Sequence, residues 1–453
     1  PLRGPRRKLN ICQIHRSKIE DRFDPLYYKD KPNFTNFIKL SKIAMVSGGK
    51  RIPLGMSYTK EQTNYLYLRV ADMLDNDVAY SSLNHIDSDV FNILKRYEIS
   101  EDDIALSIAG TIGKVVCLKN IPTTNRVILT ENCAKIQITN NSILPLYLTL
   151  LFKSSVVQKQ IELNCIQTTI PKIGLDRIRN LSLPHIPTQK EQMVVINLYI
   201  NAQNQRKKNL TEAQGFIDNS DKYLLNEIGI TLPQKDNSLK NRIFTTSFRN
   251  VIGNRIDPLA NSPILESLRS NLSNSSFTYL KNIVTETKAI ETEINPTDIY
   301  VGLENIESNT GKYIPTETKD SISSALRFKK GQILFPKLRP YLNKVYLAEF
   351  DGLCSTEFHV FDAKNIDVHF LHYCLLSKIT LAQTSNLMTG NTLPRLQSSD
   401  IAHILIPNPP IEKQKEIAKH IQNIRNQAKQ LETDAETKYK QAMQKIEQMI
   451  MKC

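Results

Sequence analysis

Ile404-Leu-Ile-Pro-Asn-Pro-Pro-Ile-Glu-Lys-Gln-Lys-Glu-Ile417 is the run whose reading decides the fold. It passes from an apolar segment, through three prolines, into a polar stretch with neither Pro nor Gly from Ile411 to Met451. Proline pre-sets the first turn of a helix and ends whatever precedes it. Beyond it, apolar residues fall at Ile417, Ile421, Ile424, Ala428, Leu431 and Ala435, in steps alternating four and three. That is a heptad seam. The pattern continues at Tyr439, Ala442, Ile446 and Met449 after two consecutive steps of four, a stutter that locally relaxes a supercoil. A helix of about 40 residues spans roughly 60 Å and cannot bury such a stripe alone.

The chain supplies a partner helix. Leu183-Pro-His-Ile-Pro187 opens a second polar run, Gln189 to Ile228, with Val195, Tyr199, Ala202, Leu210, Ala213, Ile217, Leu224 and Ile228 at similar steps. Arg206 interrupts this seam, Gly215 weakens it, and Gly229 is placed to cap its end. The echo extends outward. Arg22-Phe-Asp-Pro-Leu26 returns as Arg255-Ile-Asp-Pro-Leu259, and Thr168-Thr-Ile-Pro-Lys172 as Asn391-Thr-Leu-Pro-Arg395. The offset is about half the chain, so the repeat is a domain-sized duplication.

Each copy reads as mixed α/β with short strands. In the first, strands at Tyr65–Val70, Ile104–Ala109, Val115–Leu118 and Cys133–Ile138 precede a helix from Ile143 to Gln160. In the second, Ile299–Leu303, Gly331–Phe335, Lys344–Leu347, Glu357–Phe361 and a helix at Phe370–Ser377 keep the same order. The expected fold is α+β: two similar α/β domains separated by two long α-helices forming an antiparallel coiled coil, pseudo-twofold symmetric. The expected bounds are 1–188 and 230–410 for the domains and 189–229 and 411–453 for the helices. The helix interface, also the candidate partner surface, would use Val195, Tyr199, Leu210, Ile217 and Leu224 against Ile417, Ile421, Ile424 and Leu431. The competing arrangement packs each helix on its own domain only.

Bulk composition narrows the function classes. With 40% hydrophobic and 23% charged residues among 453, the chain reads as globular, and each half is long enough for its own core. No apolar run reaches transmembrane length, so no membrane association is expected. The basic start (Arg3, Arg6, Arg7, Lys8) lacks a following apolar region, so no signal peptide is expected. Seven Cys without a C-x-x-C pair argue against a disulfide framework or zinc ribbon and for a reducing cytoplasm. The net charge of +14 makes a phosphate backbone the natural partner.

No catalytic constellation and no metal-ligand spacing emerge. Asn408-Pro-Pro-Ile411 approaches the Asn-Pro-Pro-aromatic tetrapeptide of enzymes that methylate exocyclic amines of bases, but it ends in Ile and sits at a helix mouth, where Pro has a structural use. Gly110-Thr-Ile-Gly113 lacks the spacing of a phosphate loop and reads as a tight turn. His369 and His372 lie on an apolar helix and read as packing or polar-face residues. Basic clusters are more informative. Lys337, Arg339 and Lys344 surround one turn, with Tyr341 between them; Lys50, Arg51 and Lys114 lie in comparable places in the first copy. Thr169 with Lys172, and Thr392 with Arg395, add a small hydroxyl beside a cation. Such residues suit phosphates and base edges, with Arg able to contact guanine bidentately. Solvated surface charge is the plain alternative for any one of them.

The pattern resembles the specificity subunit of type I restriction–modification enzymes. The resemblance covers nearly the whole chain and rests on Arg22-Phe-Asp-Pro-Leu-Tyr-Tyr28, Ile104-Ala-Leu-Ser-Ile-Ala-Gly-Thr-Ile-Gly-Lys-Val115, Gly331-Gln-Ile-Leu-Phe-Pro-Lys-Leu-Arg-Pro340 and the 404–417 run with Gln414. It implies two target-recognition domains that each read half of a bipartite double-stranded DNA site, with the helices fixing the gap and docking two methyltransferase subunits. A restriction/translocase subunit would join them. No cofactor is then expected on this chain; S-adenosylmethionine, ATP and Mg2+ would belong to partners. Pro187-Thr-Gln-Lys-Glu-Gln192 departs from the family pattern by one extra residue before Gln192. The alternatives are the recognition subunit of a two-subunit type II enzyme, a self-contained DNA methyltransferase or nuclease, and a coiled-coil scaffold.

Overall fold

The computed structural model describes Arg16 and residues 37–452, apart from 76, 166–170, 234–237, 240–242, 252–254, 274–276, 289, 293, 295–297, 317–321, 386 and 391–392. The Arg22–Leu26 motif, Thr169 and Thr392 therefore lie outside the described residues. The chain divides into two units, residues 1–206 with 436–453, and residues 207–435.

In the first unit the strands are β1 (Ile38–Lys39), β2 (Ala44–Gly48), β3 (Tyr65–Leu68), β4 (Asn84–His85), β5 (Glu98–Ile99), β6 (Ile104–Ser107), β7 (Val115–Cys117), β8 (Arg126–Leu129), β9 (Cys133–Ile138) and β10 (Ser182–Leu183). They form sheets ordered β2-β9-β6-β7 and β4-β3-β8-β5, and a ribbon of β1 with β10. The alternation in Tyr65–Val70 is weak because β3 is covered on both faces. Leu66 and Leu68 enter one core cluster, and Tyr67 joins Val90, Phe91 and Leu94 of helix α1 (Ser88–Leu94) in another.

The second unit repeats the plan with β11 (Phe277–Tyr279), β12 (Val284–Thr287), β13 (Ile290–Glu291), β14 (Tyr300–Val301), β15 (Ala325–Phe328), β16 (Ile333–Pro336), β17 (Tyr346–Leu347), β18 (Gly352–Cys354), β19 (Phe358–Ala363) and β20 (Leu405–Pro407). Its sheets run β12-β19-β16-β17 and β13-β15-β18-β14, with a ribbon of β11 and β20. The parallel pair β3–β8 has its counterpart in β14–β18. The order β5-β8-β3 matches β15-β18-β14, but the fourth strand joins opposite edges: β4 beside β3, β13 beside β15. The copies share a frame and differ at its margins.

The expected helix from Ile143 to Gln160 is two: α2 (Pro145–Lys153) and α3 (Ser155–Asn164). Ser154 between them is extended (φ −63°, ψ 147°), and its hydroxyl donates to the Leu151 carbonyl at 2.6 Å. Ser377 makes the same break between α5 (Val368–Leu376) and α6 (Lys378–Thr384), donating to Cys374 O at 2.7 Å. A serine hydroxyl competing for backbone groups explains why apolar periodicity alone misjudges the span.

The long helices are α4 (Gln189–Glu227) and α7 (Ile411–Lys452). In the first unit Arg206 meets Glu436 at 2.8 Å, and Val195, Ile196 and Tyr199 share a core with Ile446 and Ile450. In the second, Lys413 reaches Glu227 at 2.6 Å and Tyr223 packs on His420 at 4.0 Å. Early positions meet late ones in both units, so the helices pair antiparallel. Val195, Tyr199, Leu224, Ile417 and Ile421 are fully buried, while Leu210, Ile217, Ile424 and Leu431 are partly covered. Arg206 sits over the Tyr439 ring at 4.9 Å, which explains how a cation is tolerated in the seam.

Helix entry is controlled by matched buried glutamines. Gln192 accepts from Leu144 N (2.8 Å) and donates to Ser142 O (2.7 Å) and Pro187 O (2.9 Å). Gln414 accepts from Asp367 N (2.8 Å) and donates to Pro409 O (2.8 Å) and Asn408 Oδ1 (3.1 Å). Pro187 thus corresponds to Pro409, and Thr188 takes the place of Pro410. The residue before Gln192 that looked extra is no insertion. Asn408-Pro-Pro-Ile411 is engaged in holding the helix mouth.

Candidate nucleic-acid interface

In the first unit β6 leads into the Ile108–Lys114 turn. Gly110 (φ +74°) and Gly113 (φ +87°) occupy left-handed conformations that favour glycine. Ser107 N donates to Lys114 O (2.8 Å) and Gly113 N to Ser107 O (3.1 Å), closing the turn. Its outer strand is held by the Pro171–Ile173 segment: Ala109 bridges Lys172, Gly110 N donates to Pro171 O at 3.1 Å, and Ile173 N to Ile108 O at 3.0 Å.

The second unit builds the same edge from other residues. After β16, Arg339 (φ +48°) and Asn343 (φ +51°) shape the turn. Leu338 bridges Arg395, Arg339 N donates to Pro394 O at 2.8 Å, and Leu396 N to Lys337 O at 3.0 Å. The bridges Ala109–Lys172 and Leu338–Arg395 are equivalent, so the Pro171-Lys172 and Pro394-Arg395 ends of the echoed segments are a shared tether for the turn. Asn343, buried, donates its side-chain amide to Leu376 O at 2.7 Å, a positioning contact that basic-cluster reasoning missed.

The predicted cations play different parts. Lys337 donates to Thr356 O (2.9 Å) and Lys344 to Leu303 O (2.9 Å), so both ammonium groups hold neighbouring segments. Arg395 grips Glu357 through two bonds (3.1 and 2.6 Å), and Arg51 grips Glu131 at 2.6 Å. The bonds to Glu357 and Glu131 hold these guanidiniums still more firmly protonated. Arg339, Tyr341, Lys50 and Lys172 are exposed, and Lys114 is half-buried. In the first unit one edge links Lys50 and Lys172: Lys50 N donates to Leu129 O (2.9 Å), Ile108 N to Asn132 O (2.8 Å), and Ala109 bridges Lys172.

Beneath the second turn, His359 on β19 contacts the Glu286 carboxylate through Nδ1, while its buried Nε2 has no hydrogen-bond partner. Burial pushes its pKa down. By strand register, Ala134 and Val46 occupy these positions in the first unit. Away from the edge, a cavity of about 460 Å³ in the second unit is lined by His369, His372, Tyr373, Arg425 and Lys429, among others. Burial lowers the Arg425 pKa, and Arg425 donates to Thr310 O at 3.0 Å. Among the described residues no three His, Cys, Asp or Glu side chains gather to hold a metal ion.

The model of the type I restriction modification DNA specificity domain matches residues 32–213 and again 285–438. The chain belongs to the type I DNA specificity family. Both matched regions are DNA specificity domains. The specificity subunit of the type I restriction enzyme EcoDI from Escherichia coli is 36% identical over 132 residues, 28% of this chain and 30% of that relative. The specificity chain also resembles the S subunit of the M. genitalium type I system (TM-score 0.41, 13% identity, covering 92% of this chain and 98% of that one). The HsdS subunit of Thermoanaerobacter tengcongensis gives a TM-score of 0.33 at 12% identity, covering 91% and 95%. No described helix of the specificity chain is long and apolar enough to cross a membrane.

Proposed function

We propose that the chain is the non-catalytic specificity subunit of a type I restriction–modification complex, each unit reading one half of a bipartite double-stranded DNA site. The duplicated edge carries this reading. Two turns hang on the same tether, Ala109–Lys172 and Leu338–Arg395, yet present different exposed side chains. A common frame with divergent tips is what two different half-sites need, since backbone contacts position and side-chain contacts specify. The net charge of +14 supplies attraction to phosphates. Arg339 and Tyr341 are the base-reading candidates of the second turn, Lys50 and Lys172 the phosphate-facing ones on the edge of the first unit.

Under this proposal the two long helices dock two methyltransferase subunits, and a restriction/translocase subunit completes the assembly in the cytoplasm. S-adenosylmethionine, ATP and Mg2+ serve those partners, and this chain binds none of them. The test is methylation protection by the chain assembled with its methyltransferase partner, after single-molecule sequencing has mapped modified sites in the host. A split site with two unlike halves is expected. Methylation without sequence preference would sink the proposal.

A further inference from the structure

One exposed feature of the first unit is outside the tethered turns. Lys50-Arg-Ile-Pro-Leu-Gly-Met-Ser-Tyr-Thr-Lys60 contains three cations and no acidic residue. At its tip Met56 N donates to Pro53 O at 3.1 Å, with Gly55 at φ +84°: a type II turn with Leu54 at its first corner. Leu54 is 106% exposed, and Met56 and Tyr58 are exposed beside it. A lone surface leucine needs no explanation. This one stands on a stiff mount. Lys50 N donates to Leu129 O (2.9 Å), Tyr67 OH to Lys50 O (2.7 Å), and Thr59 N to His85 O (3.0 Å). Arg51 is fixed on Glu131, and the Tyr58 ring packs on Tyr67 at 5.8 Å. Gly49 makes the close approach possible, since a Cβ there would lie 2.1 Å from Thr130 O.

We propose that the Pro53–Met56 turn is an apolar DNA wedge, Leu54 entering a base step beside the first half-site while Lys50 and Lys60 take the flanking phosphates. The proposal rests on the reading that the first unit binds duplex DNA. Three features favour DNA as the occupant. The apolar tip is flanked in sequence by Lys50 and Lys60, and a rigid mount spares ordering entropy on binding. The stem also adjoins the segment that carries Ile108, Ala109 and Lys172. Apolar wedges on basic mounts unstack and bend duplexes, at a cost repaid by added contacts. In the second unit the described residues after β12 form β13, paired with β15, so among the described residues the wedge is a feature of the first unit.

The experiment uses the full chain assembled with its methyltransferase subunit. The probe is a duplex of the mapped methylated sequence, with 2-aminopurine placed in turn at each step of the first half-site; a scrambled duplex is the control. Besides any base that the methyltransferase subunit flips, the parent should raise fluorescence at one further step. Leu54→Ala should remove that rise and weaken binding about tenfold, the scale of one lost specific contact, whereas Leu54→Met should keep most of both. Leu54 is fully exposed, so these variants fold. Unchanged fluorescence and affinity in Leu54→Ala would overturn the wedge and leave DNA reading intact. Loss of subunit assembly with unchanged fluorescence would overturn it in favour of a protein-docking turn. A parent that does not distinguish the two duplexes would defeat the DNA reading itself, and the wedge with it.

Discussion

Gln160 and Gln383 are buried side chains that apolar periodicity hides. Gln160 donates to Ser182 O (2.7 Å) and accepts from Ser182 N (2.9 Å); Gln383 does the same with Leu405 O (2.9 Å) and N (2.8 Å). Each ties a helix to the ribbon that precedes a long helix. Gln414 was legible because it stands beside a proline-marked helix start; Gln160 and Gln383 have no such marker beside them. His372 permits a test. It lies wholly inside the second unit, its Nε2 3.2 Å from Val345 O, and burial, then Arg425, push its pKa down to about 3. The folded ring is neutral. An unfolded ring titrates near about 6.5. Below that value the unfolded chain takes up a proton that the folded chain refuses. Stability is therefore full above the unfolded pKa and falls as pH drops toward the folded one. The slope is about 1.4 kcal/mol per pH unit, so about 2 kcal/mol is lost by about pH 5, or about 4–8 °C in Tm. Thermal unfolding at about neutral pH and at about pH 5 should show a smaller acid loss in His372→Gln. Equal losses in parent and variant would refute the assignment.

At the scale of elements, most of the fold was legible where the pattern ran long or recurred in both copies. The two long helices and the strand-turn-strand units are the clearest cases. The break at Ser154 was not legible, because one hydroxyl ends a helix without disturbing the apolar spacing, whereas the helix expected at Phe370–Ser377 does stop at its serine. The edge strands β4 and β13 are two residues each, too short to show alternation. Glycines offer the sharpest test of helix design. Gly229 (φ +69°) closes α4 as a Schellman cap, with Gly229 N on Asn226 O (3.1 Å) and Ile230 N on Leu225 O (3.0 Å). Gly229→Ala meets no atom within 4 Å but must adopt that conformation, so it should cost about 1 kcal/mol. Gly215 lies inside the same helix with open space around it. Gly215→Ala should stabilise by about 0.5–1 kcal/mol. Chemical denaturation reads both; shifts of the same sign would contradict this account of the helix.

At the scale of the whole molecule, the duplication separates what is common from what is copy-specific. The tether bridges, the serine breaks and the glutamine locks recur in both units, whereas among the described residues the Leu54 turn, helix α1 and the His359–Glu286 pair occur in one. Individual contact residues were less legible than the frame, for a physical reason. A cation in a basic cluster can face DNA or brace its own loop, and only geometry separates Arg339 from Lys344. If the frame is neutral and the tips specify, replacing residues 239–405 with those of a relative should change one half of the methylated site and leave the other half and the spacer as they were. Single-molecule sequencing of the host's methylated sites would read this directly. Changes in both halves would mean that the units do not read independently. Binding should also fall steeply with salt, because phosphate contacts release counterions whichever side chains sit at the tips. A parent and a chimera with equal salt slopes but different half-sites would place affinity in the shared frame and specificity in the divergent turns.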